Sequence, residues 1–260
     1  MSMQLISDIS GLKKTDCWEA DALRAFQAKL GNKKDRFPCI PATQGHALQQ
    51  LRYGFAGDPR DISSAGELAE MMREFTVHSR SFGSYTSLIV FFETNEQLAE
   101  QGTVEEFENH FWQQMNLLAE RDREKWPAHI PEDPHDPLWE FCSHGEQYFM
   151  YCATPAHVNR QSRYFPYFML AITPRWVLDE FNSAPERAAK VKSKIRDRLA
   201  AYDSIGAHPH LNSYGTENNY EWQQYFLRDD DSALSKCPFH RMLAGDKSKD
   251  FSITEKGRDN

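Results

Sequence analysis

Apolar residues recur at helical spacing in four stretches of the chain. The clearest stretch begins at residues 103–106, whose sequence Thr-Val-Glu-Glu has the form of a capping box. Apolar side chains then follow three or four residues apart, as they do on one face of a helix. They are Phe107, Phe111, Met115 and Leu118. The pattern predicts a helix with one buried face.

Three further helices are predicted from similar signals. Residues 16–19 can cap a helix that runs to about Leu30 and is stopped by Gly31. Residues 64–67 open another helix, which carries Leu68, Met71, Met72 and Phe75 on one face. Residues 183–186 resemble a capping box with proline at a tolerated early position. The buried stripe predicted after it is Ala188, Val191, Ile195, Leu199 and Tyr202.

Short apolar runs between the helices predict β-strands. Residues 88–92 are unbroken in their apolar character, which is typical of a strand buried on both faces. Residues 148–153 and 168–173 are similar, and apolar residues alternate with more polar ones over 51–55. No helix of adequate length fits between 148–153 and 168–173, so we expect these strands to pair antiparallel. We therefore predict an α+β fold with a mixed, largely antiparallel sheet, helices packed on it and long loop-rich segments.

Composition supports one domain. The chain has 260 residues, of which 40% are hydrophobic and 26% charged, and this is enough for a large core. We find no internal repeat and no low-complexity linker. Residues 1–246 are taken as a single α+β domain, and residues 247–260 as a polar tail that is expected to fray.

Charge and cysteine usage restrict the partners and the compartment. The net charge of −8 offers no broad basic surface for nucleic acid. No apolar run approaches the ~18 residues of a transmembrane helix, and residues 1–14 lack the apolar core of a signal peptide. Without export, the five cysteines are expected to be reduced thiols, and their odd number and scattered spacing also argue against a disulfide framework. These features predict a cytoplasmic protein that binds neither membrane nor nucleic acid.

Candidate chemistry is concentrated in the second half of the chain and beside two cysteines. Arg160 and Arg163, three apart after a strand, can grip an anion bidentately or can be surface arginines. His157 between them and the strand is more often a structural residue than a ligand. Cys39 and Cys237 adjoin prolines, which can aim a thiolate at a metal, although free cysteines are mostly small buried hydrophobes.

Other sites are weaker on sequence grounds. The segment 126–137 holds four prolines and can line a pocket wall, but alone it favours a surface crossover. Four residues are of the right type to form a zinc site, although their spacings along the sequence are uncommon for zinc ligands. Its ligands would be Cys142, His144, Cys237 and His240. The standard nucleotide-binding and hydrolase motifs are absent from the sequence.

Ordered motifs over residues 37–240 resemble those of the YqcI/YcgG family. They are Phe37-Pro38-Cys39, the runs 51–55 and 87–92, Trp126-Pro127, Trp139-Glu140-Phe141, Thr154-Pro155, Arg160-x-x-Arg163, the run 174–177, His208-Pro209 and the run 219–227. The resemblance implies a protein that uses haem b, an iron protoporphyrin, to oxygenate nitrogen. The substrate implied is a small amino acid or guanidine compound, typically the guanidino group of arginine. The oxidant would be dioxygen, with a reductase, or peroxide.

The resemblance also implies roles for individual residues. A thiolate ligand to the haem iron would be Cys39, with Cys237 second, and an imidazole ligand would be His208, with His157 second. The other expected contacts are three arginines for the propionates, two tryptophans against the porphyrin and two glutamates that orient the substrate. The arginines are Arg160, Arg163 and Arg175, the tryptophans are Trp176 and Trp222, and the glutamates are Glu140 and Glu221. The alternatives are a haem protein with another redox or sensing role and a zinc-binding structural domain.

Overall fold

Five strands form one mixed sheet in the order β1-β2-β5-β4-β3. In the computed structural model, which describes residues 5–14 and 16–240, they are β1 (Arg52–Ala56), β2 (Leu88–Phe92), β3 (Phe141–Ser143), β4 (Glu146–Ala153) and β5 (Met169–Pro174). The β1–β2 pair is parallel and the other three pairs are antiparallel. The predicted pairing of the runs 148–153 and 168–173 is confirmed, with Tyr151 opposite Ala171.

Eight α-helices accompany the sheet in the described residues. They are α1 (Trp18–Gly31), α2 (Ile40–Ala47), α3 (Ile62–Phe82), α4 (Glu96–Gln101), α5 (Val104–Arg121), α6 (Arg175–Asn182), α7 (Pro185–Tyr202) and α8 (Trp222–Tyr225). The structure is a single α+β domain, as predicted. None of the described helices combines the length and apolar character that crossing a membrane requires. The predicted polar tail at 247–260 lies outside the described residues.

The sheet divides the core into two layers because its side chains alternate between its faces. Leu88, Val90 and Phe92 point to one face, where they pack with α3 and α5. Ile89 and Phe91 point to the other face, where they pack with α1. The unbroken apolar run 88–92 is therefore buried on both faces, as its sequence predicts.

The helix predictions meet different outcomes. The capping box of α5 is present in full: Glu106 N–H donates to Thr103 Oγ1, and Thr103 N–H donates to the Glu106 carboxylate. The capping box predicted at 183–186 is wrong, because Ser183 follows α6 and Ala184 caps α7 without a side-chain hydrogen bond. Of the stripe predicted on α7, Ala188 is buried, whereas the other four side chains are only half-buried.

Four short helices were not predicted, namely α2, α4, α6 and α8. Helix α6 begins directly after β5, and α2 begins directly after Cys39. Apolar spacing is a weak signal in all four because none of them is longer than eight residues. Helix α2 is fixed by a close approach at Gly45, where a Cβ atom would lie 2.4 Å from the carbonyl oxygen of Tyr85. Glycine at this position therefore allows α2 to approach the backbone of Tyr85 closely.

Candidate functional site

A cavity of about 180 Å³ lies between the sheet and the elements on its α1 face. Rings and aliphatic side chains from α1, β2, β4, β5 and α6 form most of its wall. They include Phe26, Ile89, Phe149, Met169 and Val177. Polar groups are few, and no described residue of the wall is acidic. An apolar cavity with a few polar groups is the usual form of a ligand or cofactor site.

Cys39 is the cysteine that the structure brings to this cavity. It is half-buried and stands at the N-cap of α2. Burial raises the pKa of its thiol, while the backbone amide of Ala42 and the charge of Arg163 act in the opposite direction. A thiol next to a helix N-terminus and a guanidinium is well placed to become a thiolate when a metal binds it.

Arg163 lies buried beside the same region. Its guanidinium stacks 4.2 Å from the ring centre of Tyr151, a residue of the cavity wall. The guanidinium donates to the backbone carbonyl oxygens of Cys152, Gln224 and Tyr225. Arg163 forms no ion pair with any described carboxylate, so its positive charge contributes to the potential around Cys39.

Arg160 is absent from the cavity wall, and its guanidinium is held by the protein. It donates to the carbonyl oxygens of Gly206, Arg228 and Asp230, and it forms an ion pair of 2.7 Å with Asp231. In this structure the guanidinium groups of Arg160 and Arg163 therefore contact different sets of protein groups. Sequence alone could not show this, because the acceptors come from loops distant along the chain.

The two candidate histidine ligands use both ring nitrogens in hydrogen bonds to the protein. In His157, Nε2 donates to the carbonyl oxygen of Leu227, and Nδ1 therefore accepts from the hydroxyl of Thr154. Burial lowers the pKa of His157 to about 4. His208 is also buried, and its Nδ1 accepts from the backbone N–H of His210. Neither histidine lines the cavity, so neither presents a free nitrogen there.

The four candidate zinc ligands, one of which is Cys237, do not form a metal site. Burial raises the pKa of Cys237 to about 12, and this side chain packs against the core on the α5 face of the sheet. Throughout residues 5–14 and 16–240, no group of three or more His, Cys, Asp or Glu side chains could hold a metal ion. The zinc alternative therefore has no supporting geometry.

Arg175, Glu140 and Glu221 form a buried ion-pair cluster. The Arg175 guanidinium donates to both carboxylate oxygens of Glu140 and, over 2.8 Å, to Glu221. The ring of Tyr214 covers the guanidinium at 4.0 Å, and Asn219 donates to Glu221. Burial raises the pKa of Glu140 to about 7, and hydrogen bonding to Arg175 opposes this shift. The two glutamates thus already hold a guanidinium, which is the protein's own.

The two tryptophans expected at a porphyrin lie away from the cavity. The ring of Trp222 packs edge-on against Trp112 in the core on the α5 face. The ring of Trp176 lies under the guanidinium of Arg80 at 4.9 Å. The proline-rich segment 126–137 is free of helix and strand, and it is also absent from the cavity wall. It behaves as a surface crossover whose Trp126 stacks on Trp139.

Sequence analysis missed Lys29, which lines the cavity from α1. Its side chain is half-buried, and this burial lowers its pKa to about 8. The signal was present in the sequence: Lys29 follows Phe26 by three residues and precedes Leu30, both of which face the core. A lysine inside an apolar stripe marks a place where a charge is held near the core.

Comparison with known proteins gives consistent matches over most of the chain. The model of the YqcI/YcgG family matches residues 26–240. The YqcI protein of Bacillus subtilis (strain 168) is 45% identical over 237 residues, which are 91% of this chain and 93% of that protein. The YcgG protein of the same organism is 47% identical over 222 residues, which are 85% and 88% of the two chains.

A more distant relative comes from Streptomyces lavendulae. It is 28% identical over 244 residues, which are 91% of this chain and 87% of the relative. That protein carries the provisional name N(omega)-hydroxy-L-arginine synthase DcsA. No significant match is found among solved structures.

Proposed function

The chain belongs to the YqcI/YcgG family, and on that premise we propose that it is a haem-dependent oxygenase that hydroxylates nitrogen in a small guanidino or amino compound. The observation that carries the proposal is the position of Cys39 at the wall of an apolar cavity of about 180 Å³. The name of the relative from Streptomyces lavendulae supports an N-hydroxylation activity and an arginine-like substrate.

The residues of the cavity fit a haem group. A porphyrin has broad apolar faces, and rings and aliphatic side chains form most of the cavity wall. Cys39 supplies a sulfur donor, which is a suitable axial ligand for haem iron. With a thiolate ligand, the bound haem would supply activation of dioxygen or peroxide for transfer of one oxygen atom.

The chain's own residues prepare Cys39 for this role. The thiol must lose a proton to bind iron, and burial alone opposes that loss. The amide of Ala42 at the start of α2 and the buried guanidinium of Arg163 favour the negative sulfur. The apolar wall limits the access of water, which strengthens both interactions.

The choice among the expected iron ligands follows from which side chains are free. His157 and His208 would each have to give up hydrogen bonds to the protein, and Cys237 lies on the other face of the sheet. Cys39 needs no such rearrangement. We therefore place the iron at Cys39, and we seek the substrate beside the cavity instead of at Glu140 and Glu221, which hold Arg175.

The activity is tested with haem-loaded protein, L-arginine and simple guanidine compounds. Dioxygen with a reductase and its electron donor is supplied in one set of reactions, and hydrogen peroxide in another. We expect mass spectrometry to find a product that has gained one oxygen atom, labelled when the dioxygen is isotopically labelled. Cys39→Ala should abolish the product, whereas Cys17→Ala, at the N-cap of α1, should not.

Haem-loaded protein that oxygenates none of these compounds with either oxidant would contradict the proposed activity. It would favour a sensing role for the same haem site.

A further inference from the structure

Lys29 is a cation held in a largely apolar wall. Its Nζ donates to the backbone carbonyl oxygens of Gln161 and Tyr164, over 2.9 Å in each case. It also lies 5.4–5.9 Å from the ring centres of Phe37, Tyr164 and Tyr202. These contacts fix the ammonium group at one point of the cavity wall, which Phe37 and Cys39 also line.

The charge of Lys29 has no carboxylate partner within ion-pair distance among residues 5–14 and 16–240. Asp203 and Asp35 act on it only at longer range. Asp203 is itself engaged, because its carboxylate accepts from the backbone N–H and the hydroxyl of Ser162. An ammonium group has three donors, and two of them are used here.

We propose that Lys29 binds a carboxylate group of a molecule that occupies the cavity. The inference rests on the proposed function. That function involves two molecules with carboxylates, namely haem, which has propionates, and an amino-acid substrate, which has an α-carboxylate. The same chemistry serves both, since a lysine at the edge of an apolar wall pairs with the anionic end of a ligand whose body is apolar.

The first experiment distinguishes a propionate from other ligands. Haem-free protein is titrated with haem and with haem dimethyl ester, which lacks free carboxylates, and binding is followed by the Soret band. If Lys29 holds a propionate, wild type should bind haem about tenfold or more tightly than the ester, since a charged hydrogen bond is lost with the ester. Lys29→Met should remove this preference and Lys29→Arg should keep it. Lys33→Met, in an exposed turn after α1, is the matched control and should also keep it.

The second experiment tests the substrate carboxylate. Haem-loaded protein is titrated with L-arginine and with agmatine, which lacks the carboxylate, and binding is followed by calorimetry. If Lys29 holds the substrate, Lys29→Met should lose the preference for arginine and keep the preference for haem over its ester. The inference is overturned if Lys29→Met retains both preferences.

Protein that binds no haem would refute the proposed function and leave the role of Lys29 to a third measurement. Haem-free protein is then titrated by calorimetry with laurate and with methyl laurate. Loss of the preference for laurate in Lys29→Met would support a carboxylate site, and an unchanged preference would overturn it.

Discussion

Replacing Arg175 by methionine should destabilise the protein more than any loss of a surface charge. The substitution removes the guanidinium that bonds to Glu140 and Glu221, whose side chains are 0% and 4% exposed. Water cannot replace the lost hydrogen bonds at these positions. Removal of one partner from a buried ion pair costs about 3–5 kcal/mol, since the remaining charge is left uncompensated.

This loss of free energy should be visible as a large shift in melting temperature. For a domain close to this size, 1 kcal/mol corresponds to a shift of roughly 2–4 °C. The expected decrease in Tm for Arg175→Met is therefore about 6–20 °C at neutral to alkaline pH. The matched control is Arg73→Met, which removes an exposed arginine paired with Glu70. The control should change the free energy of unfolding by no more than about 0.5 kcal/mol.

The loss of unfolding free energy in Arg175→Met, called the deficit below, should also depend on pH in a defined direction. Burial raises the pKa of Glu140 to about 7 even in the presence of Arg175. Without the guanidinium, the pKa of both glutamates rises further, because the attraction that favours their charged forms is gone. When folding raises the pKa of a glutamate, the folded protein loses stability as pH rises above the pKa of that glutamate in the unfolded chain, which is about 4.3. The deficit of the variant should be largest near about pH 8 and smaller near about pH 5.5.

The assay is urea unfolding of wild type, Arg175→Met and Arg73→Met at both pH values, followed by circular dichroism. A deficit for Arg175→Met that matches the control would refute the assignment of this cluster as a buried ion pair. A deficit of equal size at both pH values would show that lost packing, and not charge, accounts for the effect.

Three further predictions concern the cavity and its neighbours. Gly45→Ala places a Cβ atom against the Tyr85 carbonyl oxygen, so it should displace α2 with Cys39 and lower haem uptake in a Soret titration by more than it lowers Tm. Ala171→Phe fills the cavity from β5, so it should abolish haem uptake while circular dichroism shows an unchanged fold. The pKa of His157 is depressed to about 4. Wild-type stability should therefore fall as pH drops from about 6.5 towards 4, and His157→Gln should flatten this part of the urea-unfolding profile.

The sequence predicts the sheet and the long helices because their signals are local. The capping box at Thr103 and the apolar run 88–92 each specify their element within a few residues, and the structure confirms both. The antiparallel pairing of β4 and β5 follows from the short connection between them. Helix α7 differs because its capping signal at Ser183 belongs to the end of α6, which the sequence does not reveal.

The cavity is harder to predict because its wall is assembled from distant parts of the chain. Cys39 was identified from its neighbouring prolines, yet its position opposite β4 and β5 depends on the packing of α2. Residue type alone shows that Arg160 and Glu140 can bind charged groups. Whether these charged side chains bind a ligand or other protein groups depends on how the loops within residues 203–231 pack against them.

The central claim is that Cys39 holds a haem iron at the wall of the apolar cavity. The most direct test is the absorption spectrum of haem-reconstituted wild type and Cys39→Ser, ferric and then reduced under carbon monoxide. We predict a stoichiometric Soret band in wild type, with the reduced carbonyl band at the position characteristic of a thiolate ligand. Cys39→Ser should lose the haem or shift that band. An unaltered spectrum in Cys39→Ser, or an imidazole-type spectrum in wild type, would contradict the account.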